Sequence, residues 1–129
     1  RDGRVLVVGG SDERDSQGAY KSLEIFEQES GRFRNAGEMT SSRYKLNGAV
    51  ILLRNGKVLL AGGAAKAEVF EPSKSSISSV DGTFGSKRLF ATATLLKTGS
   101  VLITGGYDDS MRVGQEAWIF EQGATGKME

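Results

Sequence analysis

The chain has 129 residues with no cysteine and no histidine, which removes disulfides, thiolate nucleophiles, imidazole bases and the usual zinc and copper ligand sets. Seventeen Lys and Arg against 16 Asp and Glu leave a net charge of +1, so the bulk charge calls for neither nucleic acid nor a membrane surface. No apolar run approaches the roughly 18 residues of a membrane-spanning helix, and no signal peptide is evident.

The first element is DGRVLVVGG, Asp2 to Gly10: a turn dipeptide, one basic residue, an apolar run and a closing Gly-Gly. Asp-Gly is a strong hairpin signal, because both residues tolerate the positive φ of a tight turn. The run Val5-Leu6-Val7-Val8 does not alternate apolar with polar residues. A strand of that kind is expected to be buried on both faces, inside a covered sheet. The chain opens on Arg1 rather than Met, which implies processing or cutting from something longer. A polar loop, Ser11–Ser22, leads to LEIFEQ (Leu23 to Gln28), and GRF (Gly31 to Phe33) follows.

The pattern then restarts. After a connection over Asn35–Leu46 come an apolar string NGAVILL (Asn47 to Leu53), NGKVLLAGG (Asn55 to Gly63), a short loop Ala64–Lys66 and AEVFEP (Ala67 to Pro72). Ser76-Ile77 is the nearest match to GRF. The third pass runs from the connection Ser79–Leu89 through ATATLL (Ala91 to Leu96), TGSVLITGG (Thr98 to Gly106), the loop Tyr107–Glu116 and AWIFEQ (Ala117 to Gln122) to GKM (Gly126 to Met128). The first glycine of each pair falls at 9, 62 and 105, spacings of 53 and 43 residues. Gly9-Gly10, Gly62-Gly63 and Gly105-Gly106 let the backbone bend or approach a neighbour at the strand's end. Phe26, Phe70 and Phe120 recur in register and are expected in the core, buried between adjacent units or, at the open ends, waiting for one.

One unit is therefore four short strands, termed a to d, joined by hairpins. Repeats of about 40 to 50 residues built this way point to β-propeller blades, because one such sheet cannot bury both faces alone. The 18 glycines, about twice the usual share, supply the many turns. The expected fold is all-β, a single segment over 1–129. Blade 1 covers strands b to d over about 1–35, blade 2 about 46–80 and blade 3 about 90–129. Blade 1 lacks its strand a. Three blades leave an incomplete ring, since a closed propeller takes about four to eight. Two outer blade faces then await more chain or a second copy.

The succession of a basic residue, a strand such as ATATLL, a turn glycine, VLITGG, a variable loop and the AEVFEP-like and GRF-like strings resembles the kelch repeat. It is most similar to the bacterial kelch and galactose-oxidase-like propellers, over nearly the whole chain. The family's fourth-strand Trp is replaced by Phe33, Ile77 and Met128, and its His entering strand a by Gly48 and Ala91. The resemblance implies that the b-to-c and d-to-a loops share one end of the molecule, the family's usual binding face. Galactose oxidase itself uses copper with His and Cys-linked Tyr ligands, so that activity cannot reside in this chain. Secreted bacterial relatives tilt localisation toward the cell exterior.

Candidate binding residues on those loops are Tyr20, Arg43, Tyr44, Lys45, Arg88, Phe90, Tyr107, Asp108 and Arg112. Aromatics on a rigid scaffold are natural hot spots. Arg43, Lys45 and Arg88, just before strand a, could grip a carboxylate or phosphate; the plainer reading is that they pair with a neighbouring blade or face water. Asp12, Asp15, Asp108 and Asp109 lack the spacing of a calcium loop, which favours an ordinary solvated loop. Glu24 and Glu68 share one repeat position as an imaginable acid–base pair, but the third repeat puts Trp118 there, so a structural hydrogen-bond acceptor is the simpler role. No catalytic residue, cofactor or metal is expected. The resulting reading is a binding module for a protein or glycan. The alternative is a fragment of a propeller enzyme, a sugar-acting oxidase or epimerase, with its catalytic residues elsewhere.

Overall fold

A computed structural model describes residues 2–123 and 127–128. The fold is all-β: three separate antiparallel sheets, none closed, with no α-helix among the described residues. The first sheet contains β1 (Val5–Val8), β2 (Ser22–Glu27) and β3 (Arg32–Glu38), in that order. The second contains β4 (Val50–Leu52), β5 (Val58–Leu60), β6 (Glu68–Glu71) and β7 (Ser76–Ser79). The third contains β8 (Thr92–Leu95), β9 (Val101–Thr104), β10 (Ala117–Glu121) and the two-residue β11 (Lys127–Met128). Every connection within a sheet is a simple antiparallel step, as the Gly-containing turns dictate. One short 3-10 turn, Asp15–Gly18, interrupts the first long loop.

Strand pairing repeats residue for residue. Val5, Val58 and Val101 stand opposite Phe26, Phe70 and Phe120. Those three residues in turn stand opposite Phe33, Ile77 and Met128. The three sheets are thus the same unit in the same register, and Ile77 and Met128 are the counterparts of Phe33.

Stability comes from burial between sheets. At the first junction Leu23, Ile25 and Ala36 of one sheet pack against Val58, Leu60 and Phe70 of the next. At the second, Leu53, Leu59, Ala61, Ala67 and Val80 pack against Ala93, Val101, Ile103 and Phe120. Backbone hydrogen bonds fasten both junctions at matching points. Gly10 N–H donates to Arg43 C=O and Gly63 N–H to Arg88 C=O, each at 2.8 Å.

One expectation needs correction. Val5–Val8 is not buried on both faces: Val5 and Val7 are exposed, whereas Val58–Leu60 is fully buried. Phe26, in the end unit, is the open-end case: it is half-buried and leans on the exposed Phe33 with ring centroids 5.0 Å apart, unlike the buried Phe70 and Phe120. The reason is shared: no described sheet lies on that side of the first one, so the repeat's apolar pattern is present but its cover is not. The glycine pairs also differ. Gly9 and Gly105 adopt positive φ of 52° and 69°, while Gly62 does not, being held between Ala49 and Ala91 with its carbonyl accepting from Arg43.

Candidate functional site

The loops following β1, β5 and β9 and those preceding β4 and β8 meet at one end of the molecule. Their backbones are bonded to one another: Arg43 N–H donates to Tyr20 C=O at 3.0 Å, and Phe90 N–H to Lys45 C=O at 2.9 Å. Tyr107 pairs with Leu89 and with Val113 as isolated bridges.

Lys45 stands at the centre of this end. Its ammonium lies 3.1 Å from Asp15 Oδ2, 5.1 Å from the centre of the Tyr44 ring and 6.0 Å from that of Tyr107. The Asp15 hydrogen bond, foremost, raises the Lys45 pKa, with smaller contributions of the same sign from its charge and the two tyrosines. Phe90 lies 5.9 Å from the Tyr107 ring. Lys45 and Phe90 occupy the same position in successive repeats, two residues after an arginine, and both adopt a left-handed backbone at φ 54°. That conformation costs an L-residue about 1–2 kcal/mol. Phe90 and Tyr20 remain 47% and 48% exposed, large rings left in water on a fixed scaffold.

Other predicted residues lie elsewhere in role. Arg43 is 1% exposed and fully engaged: Nε and Nη2 donate to Glu68, Nη1 to Gly62 C=O and Nη2 also to Lys66 C=O. Glu68, equally buried, also accepts from the Thr40 amide and hydroxyl. Arg43 thus pairs with the unit it leads into, rather than with a neighbouring one or with water, and Glu68 is a structural acceptor. Burial is the leading influence on the Arg43 pKa, which it lowers, with Glu68 opposing it. Arg88, the counterpart of Arg43, is 7% exposed; its guanidinium lies 5.3 Å over the Trp118 ring and 3.4 Å from Glu116. Tyr44 is buried, so only its ring face beside Lys45 contributes. Every guanidinium nitrogen of Arg43 is thus committed within the chain.

Asp108 accepts hydrogen bonds from the Arg112 and Ser110 amides and so closes its own loop. These bonds, the Arg112 one first, hold its carboxyl below the ordinary aspartate value. Asp12 is paired with Arg14, and Asp109 with Lys87 at 3.2 Å. The four loop aspartates thus have separate partners. Among the described residues no group of three or more Asp or Glu converges as a metal cage would require. Glu24 lies exposed on the first sheet and Glu68 is committed to Arg43, so neither is placed as half of an acid–base pair.

Sequence reasoning missed Met111 and Val113, both highly exposed at the tip of the third loop, with Met111 at φ 61°. Their alternation with Ser110 and Arg112 in an otherwise polar loop is the signal that marks them. No family model and no curated protein matches this chain.

Proposed function

We propose that the chain is a non-catalytic binding module, an open run of kelch-type propeller blades that offers its loop end to a protein or carbohydrate partner. One observation carries the reading: Phe90 is held exposed beside the Lys45–Asp15 pair, and Tyr20 is held exposed on the neighbouring loop, on backbone that is bonded from loop to loop. Exposed rings on pre-ordered loops gain contact area with little further loss of entropy. The charge beside them is balanced, which suits a polar neutral surface such as a sugar face or a peptide backbone. Lys45 lies over two tyrosine rings, an arrangement that attracts its charge to their faces.

Further blades or a second copy would cover the outer faces, on which Val5, Val7 and Phe33 are exposed in the first sheet. Support for the propeller arrangement is the identical register of the three units and the matching Gly-to-Arg bonds between them.

The test is selection against the immobilised chain from a displayed peptide library and a glycan array, in parallel with a Tyr20→Ala/Phe90→Ala variant. Both substitutions are at the surface, so the variant should keep its stability within about 0.5 kcal/mol per site. Binders should lose at least about tenfold in affinity for it, the usual hot-spot loss. Binders indifferent to the double substitution would move the site off the loop end.

A further inference from the structure

The repeat supplies its own comparison for Arg88. One unit earlier Arg43 stands at the same position, and its guanidinium gives four hydrogen bonds, two of them to the Glu68 carboxylate. In the third unit Trp118 replaces that glutamate, and the Arg88 guanidinium lies 5.3 Å over its ring. A ring attracts the charge but offers the in-plane N–H groups no oxygen. Among the described residues Arg88 is left with one hydrogen bond, Nη2 to Glu116 Oε2 at 3.4 Å, and its buried Nε has no acceptor. A guanidinium so buried, with five N–H donors and one long contact, lacks the acceptors that offset its desolvation.

Glu116 is a poor substitute for Glu68. Its side chain is 61% exposed and reaches the guanidinium through one oxygen, whereas Glu68 is sealed in the interior. An exposed carboxylate held by one long bond is displaced at little cost. The loop beside it presents apolar surface. Gly114 lies directly against Arg88, where a Cβ would be 3.1 Å from Cζ. The preceding Val113 is exposed and bridged to Tyr107, whose ring centre is 5.9 Å from that of Phe90. Met111 is exposed on the same loop.

We propose that Arg88 anchors an acidic side chain of a protein partner, whose carboxylate displaces Glu116 while its apolar neighbours cover Val113 and Phe90. Charge and surface select this occupant. The loop 107–116 sets Asp108, Asp109 and Glu116 against Arg112, and Lys87 and Arg88 bring its surroundings to balance. A singly charged carboxylate replaces Glu116 like for like, whereas a doubly charged phosphate meets the repulsion of three carboxylates. The Met111 and Val113 side chains offer a sugar neither a ring face nor a strong hydrogen bond, and they match aliphatic residues. The inference rests on the loop-end reading and narrows its partner to a protein segment with Glu or Asp between apolar residues.

Trp118 is the chain's single tryptophan, so its fluorescence reads this site directly. The probe is the capped pentapeptide Gly-Leu-Glu-Leu-Gly, titrated into the whole chain beside its Gln counterpart and inorganic phosphate. The Glu peptide should change Trp118 emission saturably and bind at least about tenfold tighter than the Gln peptide, the share of one charge-assisted hydrogen bond. Arg88→Lys should weaken it by at least about tenfold, because an ammonium cannot give the paired donors of a guanidinium. Glu116→Gln, a surface change, should tighten the Glu peptide several-fold by removing its internal rival, an effect that a purely structural Arg88 would not produce. No Trp118 response, equal affinity for both peptides, tighter binding of phosphate, or indifference to Glu116→Gln would overturn the proposal. A Glu peptide that depends on Arg88 yet ignores Tyr20→Ala/Phe90→Ala would uphold it and overturn the role given to the two rings. One that needs the rings and ignores Arg88 would do the reverse.

Discussion

Arg43 and Glu68 form a buried ion pair at 2.8 Å, and one repeat later the same two positions place Arg88 over the Trp118 ring at 5.3 Å. The arginine is retained while its partner changes from a charge to an aromatic face. In the first case the guanidinium donates to Glu68 through two nitrogens and to two carbonyls, so the carboxylate is neutralised where water cannot reach it. In the second, Trp118 is held edge-on by Phe84 at 4.9 Å, and the Arg88 Nε is buried without a hydrogen-bond partner among the described residues. A buried pair is not necessarily worth more than an apolar substitute, but it is costly to break from one side.

Glu68→Ala should therefore destabilise the chain by about 3–5 kcal/mol, because it strands the Arg43 charge in the interior. Urea denaturation followed by tryptophan fluorescence measures this. Replacing both residues by apolar ones should not restore full stability, since the carbonyls of Gly62 and Lys66 lose their donor. A loss below about 1 kcal/mol for Glu68→Ala would mean that the pair is hydrated in solution.

Phe70→Ala should cost about 3–5 kcal/mol, since Phe70 fills the first inter-sheet core. Phe26→Ala, at the same repeat position on an uncovered face, should cost about 1 kcal/mol. Equal losses in chemical denaturation would show that something covers the outer face of the first sheet in solution.

Gly9→Ala and Gly105→Ala test how tightly the strand ends are held. Both glycines have positive φ, so each substitution should cost about 1–2 kcal/mol from the backbone alone. A Cβ at Gly105 would meet open space, whereas one at Gly9 would run into the carbonyls of Arg43 and Tyr20. Gly9→Ala should lose about a further 1–3 kcal/mol, seen as the lower melting temperature of the two.

Asp108 should report on its loop through pH. Its folded pKa lies below the ordinary aspartate value, so its contribution to loop order is present at neutral pH. That contribution is lost as pH falls from the ordinary aspartate range through the lowered value. A carbon-detected NMR titration should find the Asp108 carboxyl titrating at lower pH than the same residue in a short peptide. The Ser110 and Arg112 amides, which it accepts from, should shift with the same midpoint. Amides that move instead at the peptide value would show the loop hydrogen bonds to be absent in solution.

Local sequence determined the repeat unit. The turn dipeptides, the apolar runs and the recurring phenylalanines specify strand, turn and register within a few residues of one another, and the Val–Phe pairing follows in all three sheets. The first unit's missing strand was equally legible, since strand a appears as a string before the second and third turn dipeptides only. Tertiary structure decided everything that depends on what stands next to a sheet. Val5 and Val58 read alike, yet one is exposed and the other buried, because only one has a neighbouring sheet against it. Arg43 and Arg88 read alike as loop cations, yet both are buried, because loops from two sheets fold over them. The clustering of Lys45 with Asp15 and Tyr107 depends on contacts across tens of residues, which no local pattern encodes. Burial and ion pairing are properties of the approach between units, and a repeat sequence states the units without stating which of their faces are covered.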